Sequence, residues 1–297
     1  MDLLSQQLFN GLVLGMEYAL FAVGLVLVFS VLRVMNFAHG ALFAWGGIVA
    51  VLAVQGVDAQ VVIVALLAGV AMGAFIAFGM QRGIVDVLNR KGIDDHLIPA
   101  VATIGVSWML TGLGAAILGP NPRSFPEGTL TPTFHDVGPI EVTTMQLVIV
   151  VVALIALAAL DRVVFKTKLG RRLRAVAYAP DNAELLGINV RRMRTAAFVI
   201  SGALAGLAGA LTSLTLDLAS PFIAEGTLVK GFAIIVLGGM GSVRGAVIGA
   251  LLLGEAEVLT VNYGASTYRD AVAGILLFVV LMIRPQGLFG RAEVARA

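Results

Sequence analysis

Between residues 8 and 283 the chain keeps returning to long apolar runs, at about 8–32, 39–54, 60–80, 97–118, 145–160, 195–216, 228–240, 245–259 and 271–283. Crossing roughly 30 Å of hydrocarbon takes about 20 apolar residues as a helix. Only helices and closed barrels satisfy their own backbone hydrogen bonds there. The runs therefore predict an all-α, polytopic membrane helix bundle of about nine spans, with a range of eight to ten. Several runs are short, so one or two are expected to be broken or re-entrant helices buried within protein. Composition argues the same way: 59% of residues are hydrophobic and 13% charged, against about 25% charged in an ordinary globular domain. The 35 glycines suit membrane helices, where small residues let backbones approach. With no cysteine, disulfides, thiolate metal sites and Cys nucleophiles are excluded. The first run lacks a basic start and a small-residue cleavage site, so it reads as a retained span. Residues 1–297 form one transmembrane domain.

Basic residues collect on the cytoplasmic side of membrane proteins. With the N-terminus outside, 17 of the 20 Lys and Arg fall inside, and only Arg123, Lys230 and Arg269 fall outside. The expectation is N-out and C-in. The long outer loop is then 120–144, broken by Pro120, Pro122, Pro126, Pro132 and Pro139, and the long inner loop is 166–194. Laying residues 31–46 over 236–251 gives identities at Val31, Leu32, Met35, Gly40 and Ala41. The pieces lie six segments apart, an even number, so a parallel internal repeat with broken helices is expected.

Within the inner loop, Asp181 and Glu184 have the spacing of a capping box, and Gly187 is placed to stop a short helix. Its apolar residues Leu185, Leu186 and Ile188 have no bilayer to enter, because Arg171 to Arg174 and Arg191 to Arg194 hold the segment at the surface. Two readings stand side by side: a helix docked in a groove of a cytoplasmic partner, and an interfacial helix on anionic headgroups.

Polar groups inside spans face protein or water, because ionisable ones cost several kcal/mol in hydrocarbon. Glu17, Asn36, His39, Thr103, Ser107, Thr111, Glu255 and Glu257 qualify. Asn36 and His39 beside Gly40, like Ser242 and Arg244 beside Gly245, mark helix breaks that either cap a helix start or form a gate. Glu17 either bonds a neighbouring helix or lines a pathway. Thr103, Ser107 and Thr111 share one helix face, as a polar stripe or as packing contacts. Trp45 and Trp108 read as packing. His96 and His135 have no second ligand at i+3 or i+4, so no metal site is expected.

The stretches Arg33-Val-Met-Asn-Phe-Ala-His-Gly-Ala, Arg174-Ala-Val-Ala, Ala183-Glu-Leu-Leu-Gly-Ile-Asn and Val236-Leu-Gly-Gly-Met-Gly-Ser-Val-Arg-Gly-Ala resemble the branched-chain amino acid ABC transporter permease family, along nearly the whole chain. The resemblance implies a multi-pass subunit of the bacterial inner (cytoplasmic) membrane. It implies two cytoplasmic ABC ATPases, a second homologous permease chain in a heterodimer and a periplasmic solute-binding protein. It also makes Ala183, Glu184, Leu185, Leu186, Gly187 and Ile188 the loop that contacts the ATPases. Glu184 departs from the more Ala-rich start of the general importer motif, which bears on individual contacts. No Walker A pattern occurs, so ATP hydrolysis falls to partners, and neither a catalytic site, a cofactor nor a nucleic-acid partner is expected. The reading is ATP-driven alternating access for branched-chain or related hydrophobic amino acids. Urea or short amides are the alternative within the family, and an ion-coupled secondary transporter, kept open by Glu255 and Glu257, is the alternative outside it. A passive channel ranks last, because no pore loop or constriction ring is evident.

Overall fold

The computed structural model describes residues 3–55, 61–90, 97–119, 121–126, 133–138, 140–264 and 266–290. His96, Pro120, Pro132 and Pro139 lie outside them. The helices are α1 (Leu3–Leu32), α2 (His39–Val54), α3 (Val61–Met80), α4 (Asp86–Arg90), α5 (Leu97–Leu118), α6 (Thr144–Lys166), α7 (Lys168–Tyr178), α8 (Pro180–Leu185), α9 (Val190–Leu216), α10 (Glu225–Gly238), α11 (Val243–Asn262) and α12 (Arg269–Ile283). A π turn, Gln81–Val85, runs α3 into α4. All nine apolar runs are helical, but among the described residues only seven helices are long and apolar enough to cross a membrane. α12 reaches 18 residues with the 3-10 turn Ser266–Tyr268 that leads into it; the exceptions are α2 and α10, with 16 and 14 residues, which reach about 24 and 21 Å. The expected nine spans are thus seven full helices and two half-helices.

Each half-helix follows a long buried helix and a left-handed residue. Arg33 (φ 57) ends α1 and Asp217 (φ 51) ends α9; they are the two non-glycine residues with positive φ among those described. After Arg33 the chain turns back along α1, so that His39, the first residue of α2, bonds the Phe21 carbonyl at 3.0 Å. Phe21 lies eleven residues before the end of α1, about 16 Å along its axis. Gly231 of α10 also abuts Phe21. A Cβ on Gly40 would stand 3.3 Å from that of Ala224 and 3.4 Å from that of Leu228. The N-termini of α2 and α10 therefore meet at mid-depth.

Helix directions follow from the contacts. Thr212 and Thr215 of α9 bond Glu17 while Ser201 faces Gly24, so α9 runs against α1. Glu255 meets Gly11 and Leu251 meets Gly15, so α11 also runs against α1; Gly202 meets Gly73 and Gly206 meets Gly69, so α3 runs against α9. The unit α1, α2, α3, α5 thus recurs as α9, α10, α11, α12 with every direction reversed. This corrects the parallel repeat expected from residues 31–46 and 236–251. Those pieces span unlike features, an extended break before α2 and a tight turn before α11. The structural equivalence pairs the first segment with the sixth, an odd offset, which inverts the second copy.

Both units pack through glycine. Gly206 and Gly202 bring α9 against the backbone of α3 at Gly69 and Gly73, and Gly254 brings α11 against Gly11 and Gly15 of α1; such small-residue contacts hold membrane helices where apolar burial gives no advantage over lipid. The stretch between α5 and α6 adds a departure from all-α structure, an antiparallel hairpin of β1 (Phe134–Val137) and β2 (Ile140–Thr143). Gly138, at φ 63, supplies the left-handed residue of its two-residue connection. Thr143 and Gln146 form a reciprocal capping box that starts α6.

A methyl group at Gly206 would collide with the Gly69 carbonyl, whereas one at Gly112 would meet nothing within 4 Å. Gly206→Ala is expected to lower the thermal unfolding temperature of the purified chain. Gly112→Ala should hold or raise it, by up to about 1 kcal/mol of helix propensity.

Candidate functional site

The meeting point of α2 and α10 gathers several of the polar residues singled out in the sequence. Asn36 is 2% exposed; its Oδ1 accepts the Ala38 N–H at 3.1 Å, and its Nδ2 has no partner. Thr103 reaches across from α5, its hydroxyl accepting the Phe37 N–H at 3.1 Å and donating to the Ala100 carbonyl at 2.7 Å. His39 is fully buried and stands between the Phe21 carbonyl and the Ser201 hydroxyl, which lies 3.4 Å from Nδ1. His39 therefore bridges α1 and α9 and caps nothing, while Asn36 closes the turn ahead of α2. Phe37 and Phe232 pack with ring centroids 5.1 Å apart, joining the break to α10.

Glu17 is buried between α1 and α9, where Thr212 and Thr215 donate to its carboxylate at 3.1 and 3.2 Å. Glu255 sits against Gly11 in the α1–α11 interface. Ser107 and Thr111 are half-buried on α5 and do not reach the meeting point as Thr103 does. Trp45 is buried and donates to the Leu110 carbonyl at 2.9 Å; Trp108 faces outward. Ser242 is the N-cap of α11, accepting the Gly245 N–H at 3.0 Å. Gly238 and Gly245 touch across that turn, and residues Leu288 and Phe289 donate to the last carbonyls of α10 at Leu237 and Gly238.

The largest departure from the sequence reading is Lys230. The basic-residue count puts it on the outer side, yet it lies buried in the second turn of α10, with Nζ 3.0 Å from the Glu257 carboxylate and 3.1 Å from Asp270. Tyr18 donates to Glu257 at 3.0 Å and Arg269 at 3.1 Å. The network ties α10 to α1, α11 and α12. Glu257 is fully buried and answered by two cations, Lys230 and Arg269, so its charge is offset within this lattice although its Oε1 accepts no hydrogen bond. A lysine inside an otherwise apolar helix was the one sequence signal for it; the partner residues are too distant in the chain to be read.

At the end of the bundle that carries Arg33, Arg191 and the other inner-loop arginines, α7 folds back on α6. Thr167 caps α7 by accepting the Gly170 N–H at 3.1 Å, and Arg174 bonds the Val164 carbonyl and covers the Phe165 ring at 5.3 Å. The short helix α8 follows, started by Pro180 at its first turn; no side chain caps it, so the expected Asp181 box does not form. Proline brings no N–H that needs a cap. Its stop is as expected: Gly187 has φ 78, and Ile188 bonds back to the Ala183 carbonyl at 3.0 Å. Ala183 is buried, whereas Leu185 and Leu186 are 86% and 81% exposed.

Comparison with known proteins gives this bundle a family. The family profile "Branched-chain amino acid transport system / permease component" matches residues 7–281. The chain belongs to this permease family. The permease is 35% identical over 300 residues to the high-affinity branched-chain amino acid transport system permease protein LivH of Salmonella typhimurium, covering 98% of this chain and 97% of LivH. It is likewise 35% identical over 303 residues to BraD of Pseudomonas aeruginosa, with the same coverage. Its fold is similar to a chain of PsaBC from Streptococcus pneumoniae, solved in complex with Fab, with a TM-score of 0.53 over 97% of this chain and 94% of that one at 16% identity.

Removing one member of a buried ion pair strands the other, at a cost of about 3–5 kcal/mol, whereas removing both is far milder. Glu257→Gln is expected to lower folded yield and thermal stability in detergent, and Lys230→Met/Glu257→Gln to recover part of the loss. A double variant no better than the worse single would count against the lattice as the hold on α10.

Proposed function

We propose that this permease is one membrane subunit of an ABC importer that moves branched-chain or closely related hydrophobic amino acids inward by alternating access. The observation that carries the reading is α8: two leucines stand almost fully exposed on a short helix at the basic end, fixed to the bundle through α7 and α9. Apolar side chains held outside the hydrocarbon call for a protein groove. In this proposal residues 183–188 dock on a cytoplasmic ATPase, one of two, and residues 166–194 form the coupling loop. A second homologous permease chain completes the membrane part, and a periplasmic solute-binding protein delivers substrate. The relatives' names support the substrate class.

The proposed orientation is N-out and C-in, in the inner membrane. The described Arg and Lys residues at the helix ends support it: they crowd the end with α7 and α8, while Lys230 drops out of the opposing count because it is internal. Asn36, His39 and Thr103 at the meeting of the half-helices, with Glu17 beside them and Ser107 along α5, are the proposed pathway and gate. Ser242 holds the turn at the cytoplasmic end of α10. Short helices whose N-termini converge at mid-depth are where transporters commonly bind solute. The ion-coupled alternative loses its best support, since Glu257 is neutralised within the lattice.

Leu185→Asp/Leu186→Asp is expected to leave the chain in the membrane and abolish co-purification of ATPase subunits. ATPase retained at the wild-type ratio would overturn the docking role. Because the chain has no cysteine, single cysteines report topology directly. Ser124→Cys should react with an impermeant thiol reagent in cells with a permeabilised outer membrane, and Asn182→Cys should react only after the inner membrane is opened; the opposite pattern reverses the orientation.

A further inference from the structure

Beside the first turn of α9 lies a cleft of about 260 Å³ lined by Arg82, Asn189, Arg191, Arg192 and Thr195. Asn189 is the N-cap of α9, its side chain accepting the Arg192 N–H at 2.9 Å. Arg191 is matched by Asp86 at 2.7 Å, and Asp86 also accepts from Gln81 at 3.0 Å, so that carboxylate is fully used. Arg82 and Arg192 have no carboxylate partner among the described residues. The cleft therefore holds two uncompensated guanidinium groups, which favour oxygen anions through forked hydrogen bonds.

The surface leading into the cleft is apolar and open. Phe75 and Phe78 are 71% and 43% exposed, and the Arg82 guanidinium stacks on the Phe78 ring at 5.3 Å. Spacings of three, four and seven residues place Phe75, Phe78, Gly79 and Arg82 on one helix face. A Cβ at Gly79 or Gly83 would meet nothing within 4 Å, so neither glycine serves helix packing within the chain. The π turn Gln81–Val85 carries Arg82 itself. An exposed apolar helix face that ends at a basic cleft matches a lipid's own division between acyl chain and phosphate.

We propose that this cleft binds the phosphate of an anionic glycerophospholipid, with Arg82 and Arg192 holding the headgroup and an acyl chain lying along Phe75, Phe78 and Gly79. The site sits where α9 leaves the proposed coupling loop, so an occupied cleft braces the helix that α8 moves. It rests on the membrane-spanning character of the chain and stands whether or not the ATPase and substrate assignments hold.

The test uses the full chain, purified in mild detergent, stripped of lipid and titrated with phosphatidylglycerol or phosphatidylcholine in mixed micelles, with bound lipid counted by native mass spectrometry. The wild type should prefer phosphatidylglycerol. Arg82→Gln/Arg192→Gln should weaken its binding about thirty-fold, at roughly 1 kcal/mol for each basic residue near an anionic lipid surface. Arg171→Gln/Arg172→Gln, with the same charge loss at the same end, should bind as the wild type does. The charge-keeping Arg82→Lys/Arg192→Lys should stay within a few-fold, which separates headgroup contact from misfolding. Equal weakening in the two glutamine pairs, or no preference between the lipids, would overturn the site. Displacement of bound lipid by millimolar inorganic phosphate would assign the cleft to a free anion. Unchanged lipid binding with lost ATPase association would assign it to a partner surface.

Discussion

Irregular backbone that runs from the ends of the long helices back into the bundle has to find hydrogen bonds inside the protein, and the segments 33–38 and 217–224 impose that demand twice. Where such backbone is buried, each unmet group costs several kcal/mol. The first segment is met by side chains, Asn36 on Ala38 and Thr103 on Phe37. The second is met largely by backbone, through the Arg123–Ala219 bridge and the Ser213 carbonyl. Both segments need shielding from lipid, so the helices beside them become the core: the apolar windows of α1 and α9 are 83% and 78% buried, against 6% for α12. The order of burial in the bundle follows from where the chain is broken.

The two inverted units meet this demand with different chemistry. In the first, α2 is apolar after His39 and is held by close backbone contact, Gly46 on Gly206 and Gly209 on Phe43, together with the hydrogen bonds of His39 and Trp45. In the second, α10 carries Lys230 and is held by the lattice with Glu257, Arg269, Asp270 and Tyr18. Dispersion contacts tolerate sliding poorly once interdigitated, while ion pairs are directional and strand charge when broken. The two half-helices are therefore gripped by unlike forces, and only the grip on α10 reaches the surface, through the exposed Asp270.

Much of this was legible in the sequence, because hydrophobic length is a local signal. Every apolar run is helical over its described residues, and α10, with 14 residues, is the shortest of the nine; α2, with 16, is a half-helix because it starts part-way along α1 and not because of its length alone, since α12 has 15. Gly187 could be read as a helix stop because a left-handed turn favours glycine. What stayed hidden depended on partners far away in the chain. Lys230 counted only as a charge on the outer side until Glu257 and Tyr18 stood beside it, and Asp181 had the spacing of a cap that Pro180 made unnecessary. The internal repeat was misread because five identities align like residues, whereas the true equivalence is one of shape. The left-handed residues that mark it, Arg33 and Asp217, share no side-chain chemistry.

Two sets of glycine-lined contacts run through the bundle, and in the proposed importer they act as two bodies. α2, α3 and α9 touch through glycine faces that leave no side chains to absorb a shift, so they move together. α1 and α11 are joined in the same way, and the lattice adds α10 and α12 to them. Between the bodies runs the line where α9 faces α1, and it carries Glu17 with Thr212 and Thr215, and His39 between Phe21 and Ser201. α8 is continuous with α9 through Gly187 and the Asn189 cap, so in the proposed importer force applied at Leu185 and Leu186 enters the bundle through α9, with α7 as the second support. Displacing α9 along α1 must then exchange the hydrogen bonds of Glu17 and His39, the two buried groups that sit where the half-helices converge.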